Sequence, residues 1–341
     1  MGYRILDTGY KLGPISPLVR DGSQNLCLIK GSWMKITIIG ASGCVGSCAA
    51  FYLAAGELAD EILMIGGRKQ NVLKQHAMDL GTAVSARDVI VRAGDFEDMP
   101  GSDIVINAAG APQGVINSRM EMLPKNIPII RDISLHIRKY CPEAIVITAS
   151  NPVDPLNYAT YLCSHLDRSK FIGYSINDSF RFREMVARAV GARVGEVEGT
   201  VIGEHGSTQV LLFSTVKVNG APIFLSQEIK EGIRAEVPNI LKRYEELQSG
   251  RTAGWTCAVG LADIVRAISN DSRETFPCSV VLAGEYGCKG LSMSVPAIIG
   301  GNGIERVLEW ELAPDEQEGL KITADTLEAA ASVVEKSLTQ G

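Results

Sequence analysis

The 341-residue sequence predicts an α/β protein: a doubly wound parallel sheet first, then an α+β region with antiparallel strands. Two observations carry that prediction. From Lys35 onward, short runs of Val and Ile alternate with helical stretches, as a parallel sheet with helical crossovers requires. After Pro155 the texture changes to longer helices mixed with separate strands rich in Val and Ile.

The first element organises the rest. Lys35-Ile36-Thr37-Ile38-Ile39 is an apolar run of strand length, and it stops at Gly40. Gly43 and Gly46 follow at three-residue steps, before a helix expected over 44–55. The three glycines serve in turn for a tight turn, for close approach of bare backbone to a pyrophosphate, and for packing of helix on strand. The phosphates would lie over the free N–H groups of the helix start. The motif predicts a Rossmann-type dinucleotide site at Gly40, Gly43 and Gly46. Gly alone also ends strands for structural reasons, so the strand–turn–helix context is what gives the motif weight.

A second strand is expected at 61–65 and a helix through Val72, Leu73, Ala77 and Leu80. Short buried strands follow at 89–91 and 104–107, then a loop from Ala108, a helix over about 119–140 and a strand at 144–148. This places a dinucleotide-binding domain at 34–154. Beyond it, helices are expected near 155–166, 178–190, 226–248, 255–269 and 314–337. Strands are expected near 196–202, 210–218, 277–283 and 292–298, giving a substrate domain over 155–341. Residues 1–33 form an N-terminal extension with no continuous apolar run of the signal-peptide kind.

Composition narrows the function. With 46% hydrophobic and 21% charged residues and a net charge of −6, the chain reads as an ordinary globular protein. It has no basic stripe with interleaved aromatics, so nucleic acid is not an expected partner. It has no apolar run of spanning length, so neither is a membrane. The eight cysteines are scattered, which points to thiols in a reducing, cytoplasmic setting. Cys44 and Cys48 lie one helical turn apart without a nearby His or carboxylate partner, so they read as small packing residues and no metal is expected.

In a dinucleotide fold an acidic residue ending the second strand binds the ribose hydroxyls and repels a 2′-phosphate. Here that place reads Ile65-Gly66-Gly67-Arg68-Lys69, with no acid. Gly66 removes the repulsion and Arg68 offers positive charge, so NADP or NAD is expected, with NADP slightly favoured. The plain alternative is that Arg68 and Lys69 merely open an exposed helix.

Four polar segments are more than a core needs: 110–119 (Gly-Ala-Pro-Gln-Gly-Val-Ile-Asn-Ser-Arg), a candidate lid; Ser150-Asn151-Pro152-Val153-Asp154; Asn177-Asp178-Ser179-Phe180-Arg181; and Ile202-Gly203-Glu204-His205-Gly206-Ser207. Singly each is unremarkable, since Asp178 can be a helix cap, Arg119 a surface charge and His205 a turn histidine. In this order after the glycine motif, over residues 34–340, they resemble the L-lactate/L-malate dehydrogenase family, in places its archaeal-type malate branch. The resemblance implies that His205 exchanges the proton with the substrate oxygen and that Asp178 orients its ring. It further implies that Arg181 grips the substrate carboxylate, Arg119 polarises the carbonyl and Asn151 binds the substrate oxygen. Cofactor contacts extend by the same likeness to Ser42, Cys44 and Val45, and to Ala109, Gly110, Asn126 and Asn151. Family members are dimers or tetramers, so a homodimer or homotetramer is expected.

The sequence also departs from the family. Six residues before Arg119, malate enzymes carry Arg and lactate enzymes Gln; here it is Gln113, which favours a monocarboxylic 2-oxo acid. Asn177 stands where an apolar residue is usual. Trp255 falls near a pocket position usually held by a smaller residue, or is simply core. Short-chain dehydrogenases are set aside, because no Tyr has Lys four residues later. A metal-dependent NAD glycosidase and a silent dinucleotide sensor remain as rivals, both disfavoured by the segments around Asp178 and His205.

Overall fold

The computed structural model describes residues 33–111, 119–247 and 252–339. Its first strand, β1 (Lys35–Ile39), is buried at every residue. Burial on both faces is what a central parallel strand demands. It pairs with β2 (Glu61–Ile65) on one side and β4 (Ile104–Asn107) on the other. β3 (Ile90–Gly94) lies outside β2, while β5 (Ile145–Thr148) and β6 (Phe171–Gly173) continue beyond β4. The parallel order β3-β2-β1-β4-β5-β6 is doubly wound and reverses direction between β1 and β4. In such sheets ligands lie beyond the strands' carboxyl ends at that reversal.

The crossovers of this half include α1 (Cys44–Ala55), α2 (Gln70–Ala83), α3 (Leu123–Tyr140) and α4 (Val153–Ser164). The helix expected from 119 splits: residues Arg119–Met122 form a 3-10 turn, and α3 starts beside Pro124. Proline is pre-set for a helix's first turn, where its missing N–H is no loss. The strand expected at 89–91 is displaced to Ile90–Gly94, because it follows the register of β2.

The later half holds α5 (Ile176–Val190), α6 (Gln227–Glu246), α7 (Gly254–Ser269) and α8 (Pro314–Thr339). Its long strands, β12 (Glu274–Ala283), β13 (Lys289–Gly300) and β14 (Gly303–Val307), are antiparallel and extend the parallel sheet to nine strands. The junction is β12 against β6, Ser279 opposite Gly173. A Cβ at Gly173 would lie 2.5 Å from that of Ser279, so only glycine fits the seam. The strands expected near 196–202 and 210–218 are broken into two-residue pieces: β7 (Val197–Glu198), β8 (Val201–Ile202), β9 (Val210–Leu211) and β10 (Lys217–Val218). With β11 (Ala221–Pro222) they make two small sheets. Neither β6 nor β14 is expected from the sequence: three residues are too few for periodicity, and β14 is held by its neighbour rather than by its own pattern.

One core cluster runs from β1 and α1 through α7 to β12 and β13. A second, around Phe182, Val186, Val201 and Phe213, supports α5. That second cluster packs the Asp178 helix against β7, β8 and β9. Among the described residues no helix is long and apolar enough to cross a membrane.

Candidate active site

At the carboxyl end of β1, Gly40 adopts φ +84°, and a Cβ there would lie 2.6 Å from the Ala109 nitrogen in the loop after β4. A Cβ at Gly46 would lie 2.6 Å from the Gly40 oxygen. These are the turn and the helix-on-strand contact that the glycine spacing predicts. Gly43 precedes α1 in an extended conformation; no side chain caps the helix and no acid occupies its first turn. The start of α1, with Ser42, Cys44 and Val45 around it, is therefore a set of N–H groups suited to an anion. The residues present fit a dinucleotide pyrophosphate.

Cys44 and Cys48 do pack between helices. Their sulfurs would lie 2.7 and 2.9 Å from a Cβ on Gly254, so α7 meets α1 at a glycine. The Cys44 thiol also donates to the Thr252 oxygen at 3.6 Å. At the end of β2, Gly66 and Gly67 are followed by an exposed Arg68, and the Gln70 side chain donates to the oxygens of both glycines. No carboxylate stands there.

Asn126, expected to meet the cofactor, spends its side chain on the protein. Its Oδ1 accepts from the Ala111 N–H at 2.7 Å and its Nδ2 donates to the Asn151 oxygen at 2.7 Å. It thus ties the 109–111 loop, with Ala109 and Gly110, to the end of β5. The Ser150 hydroxyl makes a second tie to the Ala109 oxygen at 2.5 Å. Asn151 itself has a buried Oδ1 without a hydrogen-bond partner among the described residues.

The residues expected to be catalytic come from separate elements. Asp178 lies in the first turn of α5, and His205 lies in the loop between β8 and β9. The His205 Nδ1 is 2.5 Å from the Asp178 Oδ2, and both residues are buried, 6% and 5% exposed. A carboxylate only accepts, so this contact places the proton on Nδ1. Arg181, one turn along α5, donates from Nη1 to the Asp178 Oδ1 at 3.3 Å. Two neighbours beside His205 receive no role from the sequence. Glu204 is buried, its Oε2 accepting from the Thr208 N–H and hydroxyl at 2.9 and 2.8 Å. Asp154, in the first turn of α4, accepts the His205 backbone N–H on Oδ2 at 2.7 Å. Burial pushes the Asp154 carboxyl up to about 7; the Ser279 hydroxyl and the His205 N–H oppose this, while Glu204 and Asp178 add to it. In the sequence an acid in a first helical turn looks like a response to the helix dipole, and nothing local marks it as buried.

Asn177 is buried beside these residues: its Oδ1 accepts from the Tyr174 hydroxyl at 2.5 Å, and its Nδ2 donates to the Cys257 sulfur at 3.1 Å. That pairing explains a polar residue at an apolar position. Trp255 is 79% exposed at the start of α7, so the reading of it as core is wrong. Gln113 and residues 112–118 of the lid segment lie outside the described residues, and Arg119 opens the 3-10 turn that leads to α3.

Comparison with known proteins gives this arrangement a context. Residues 34–173 match the family described as lactate/malate dehydrogenase, NAD binding domain. Residues 177–337 match its alpha/beta C-terminal domain. A malate dehydrogenase of Halobacterium salinarum is 36% identical over 299 residues, covering 86% of this chain and 97% of that protein. An L-lactate dehydrogenase of Clostridium acetobutylicum is 34% identical over 304 residues, covering 86% and 96%. The lactate dehydrogenase of Cryptosporidium parvum, solved with lactic acid and nicotinamide adenine dinucleotide, superposes with a TM-score of 0.84. It is 29% identical, and the match covers 89% of this chain and 98% of that one.

Proposed function

This chain belongs to the lactate/malate dehydrogenase family, whose members are oxidoreductases acting on the CH–OH group of 2-hydroxy acids, and we propose that it interconverts a lactate-type monocarboxylic 2-hydroxy acid and its 2-oxo acid. The observation that carries this reading is the buried Asp178–His205 pair, with Arg181 on the same carboxylate. A nicotinamide dinucleotide held at Gly40, Gly43 and Gly46 would supply the hydride chemistry. The N–H groups at the start of α1 hold its pyrophosphate. Asp178 keeps the proton of His205 on Nδ1 and stabilises the imidazolium. His205 gives its Nε2 proton to the substrate oxygen in reduction and takes it back in oxidation. Arg181 turns its guanidinium fork to the substrate carboxylate, a planar match that Lys lacks. Arg119 polarises the substrate carbonyl, and Asn151 hydrogen-bonds the substrate oxygen.

The lactate-type preference rests on Gln113, whose neutral side chain leaves a second carboxylate without a counter-charge. The relatives named malate dehydrogenase favour oxaloacetate and malate as the second reading. For the cofactor, the missing acid at Gly66 and the exposed Arg68 support NADP alongside NAD. Initial rates with pyruvate and oxaloacetate, each with NADH and NADPH, test both points. Faster turnover of pyruvate supports the role of Gln113, and faster turnover of oxaloacetate overturns it. A strong NADH preference removes Arg68 from cofactor choice. Cofactor binding without turnover of any 2-oxo acid would instead make the protein a dinucleotide sensor. We further infer a cytoplasmic homodimer or homotetramer, which light scattering on the purified chain tests.

A further inference from the structure

We propose that Asp154 is a positioning residue for His205: it holds the main chain of His205 in register with Asn151, and its ionisation forms part of the pH dependence of turnover. This rests on the function proposed above.

The geometry supplies the first half. Asp154 stands three residues after Asn151, and its Oδ2 accepts the His205 N–H at 2.7 Å. The end of β5 and the loop after β8, far apart in the chain, are thereby joined beside the substrate position. The ring of His205 is fixed separately by Asp178, so backbone and ring have different partners. Proton transfer depends on the reach of Nε2, and a displacement of about 1 Å at a reacting group can cost on the order of a hundredfold in rate.

The second half follows from what surrounds the carboxyl. Asp154 is 1% exposed. Glu204 and His205 face it from the loop after β8, Asp178 with its partner Arg181 from α5, and the Ser279 hydroxyl from β12. α4 makes no use of Asp154 as a cap, since Pro152 occupies that position with no side-chain hydrogen bond. An Asn amide oxygen could accept the same N–H without the cost of burying an ionisable group. What Asp adds over Asn is a charge that comes and goes at the main chain of His205, next to the Asp178 carboxylate that holds its ring. Burial pushes that ionisation to about 7, within the working range of a histidine acid–base.

The test compares Asp154→Asn and Asp154→Ala with the wild type over pH 5–9. The readouts are kcat and KM for the better 2-oxo acid, NADH affinity from fluorescence quenching, and NMR titration of the histidine ring signals, with His205 assigned from a His205→Gln variant. Asp154→Asn is expected to keep NADH affinity and KM within about threefold while the kcat profile and the His205 signal each lose one ionisation near neutrality. Asp154→Ala is expected to lose roughly ten- to hundredfold in kcat as well. An Asn variant with the wild-type pH profile and titration overturns the ionisation, and an Ala variant with wild-type kcat overturns the positioning. If Asp154→Ala does not fold, Asp154→Val, which fills the same space without an acceptor, takes its place for the positioning, and wild-type kcat in it overturns that half. If the wild type reduces neither pyruvate nor oxaloacetate, the proposed function fails. The His205 titration then decides the coupling: an inflection lost in Asp154→Asn supports it, and an unchanged curve overturns it.

Discussion

The glycine loop and the site around His205 are built in opposite ways. The loop is a run of seven residues, 40–46, whose three glycines leave the backbone bare. Its demands are steric: Gly40 must hold φ +84° against Ala109, and Gly46 must admit the Gly40 oxygen. The other site is a cluster of buried charge. Asp154, Asp178, Glu204 and His205, each 6% exposed or less, arrive from α4, α5 and the loop after β8. The first site needs small residues at fixed spacing, whereas the second needs named functional groups brought together by the fold. The difference teaches that a substitution should act on stability and binding in the loop, and on turnover and its pH dependence in the cluster.

The sharpest way to break that division is His205→Ala, which should cut kcat by about two to four powers of ten while leaving NADH affinity and the melting temperature little changed. Steady-state kinetics with a fluorescence titration of NADH checks it. A large loss of cofactor affinity would mean that the two sites are not separable. Gly40→Ala is the converse experiment. It should cost at least about 1–2 kcal/mol in stability, from the left-handed backbone and the clash with Ala109, and should weaken NADH binding. Thermal unfolding and KM for the cofactor measure it.

Arg68→Asp restores the missing acid and should move selectivity toward NADH by roughly tenfold in kcat/KM, through repulsion of a 2′-phosphate. The smallest effect concerns stability. The folded Asp154 ionises at about 7, above the ordinary carboxylate value, so between those points the folded chain binds the proton that the unfolded chain has released. Its contribution to stability is therefore full below the unfolded value and lost as pH rises through about 7. The melting temperature of Asp154→Asn relative to wild type should accordingly improve between pH 5 and pH 8. A flat difference would mean that folded Asp154 is already ionised at pH 5, as it is in the unfolded chain.

Much of the fold was legible because its signals are local. β1, β2 and β4 are apolar runs bounded by glycine or polar residues, and α1 starts at the residue its glycine motif implies. The resemblance carried by Asp178, Arg181 and His205 named candidate side chains, and the structure brings all three together. What was not legible has long-range causes. β6 has three residues and exists because β5 and β12 hold it on either side. Trp255 read as pocket or core, yet its exposure depends on how α7 lies on α1 at Gly254.

By itself the sequence determined the alternation of strand and helix and the glycine turn after β1, because periodicity and turn chemistry act over a few neighbours, and its resemblance named Asp178 and His205 as the candidate acid–base pair. Only the tertiary structure decided that antiparallel strands complete the parallel sheet, that Asn126 braces a loop, that Asn177 is paired with Tyr174, and that Asp154 lies buried against the His205 backbone. Burial and partnership are properties of residues distant in the chain, and they set both the cost of a charge and its chemistry.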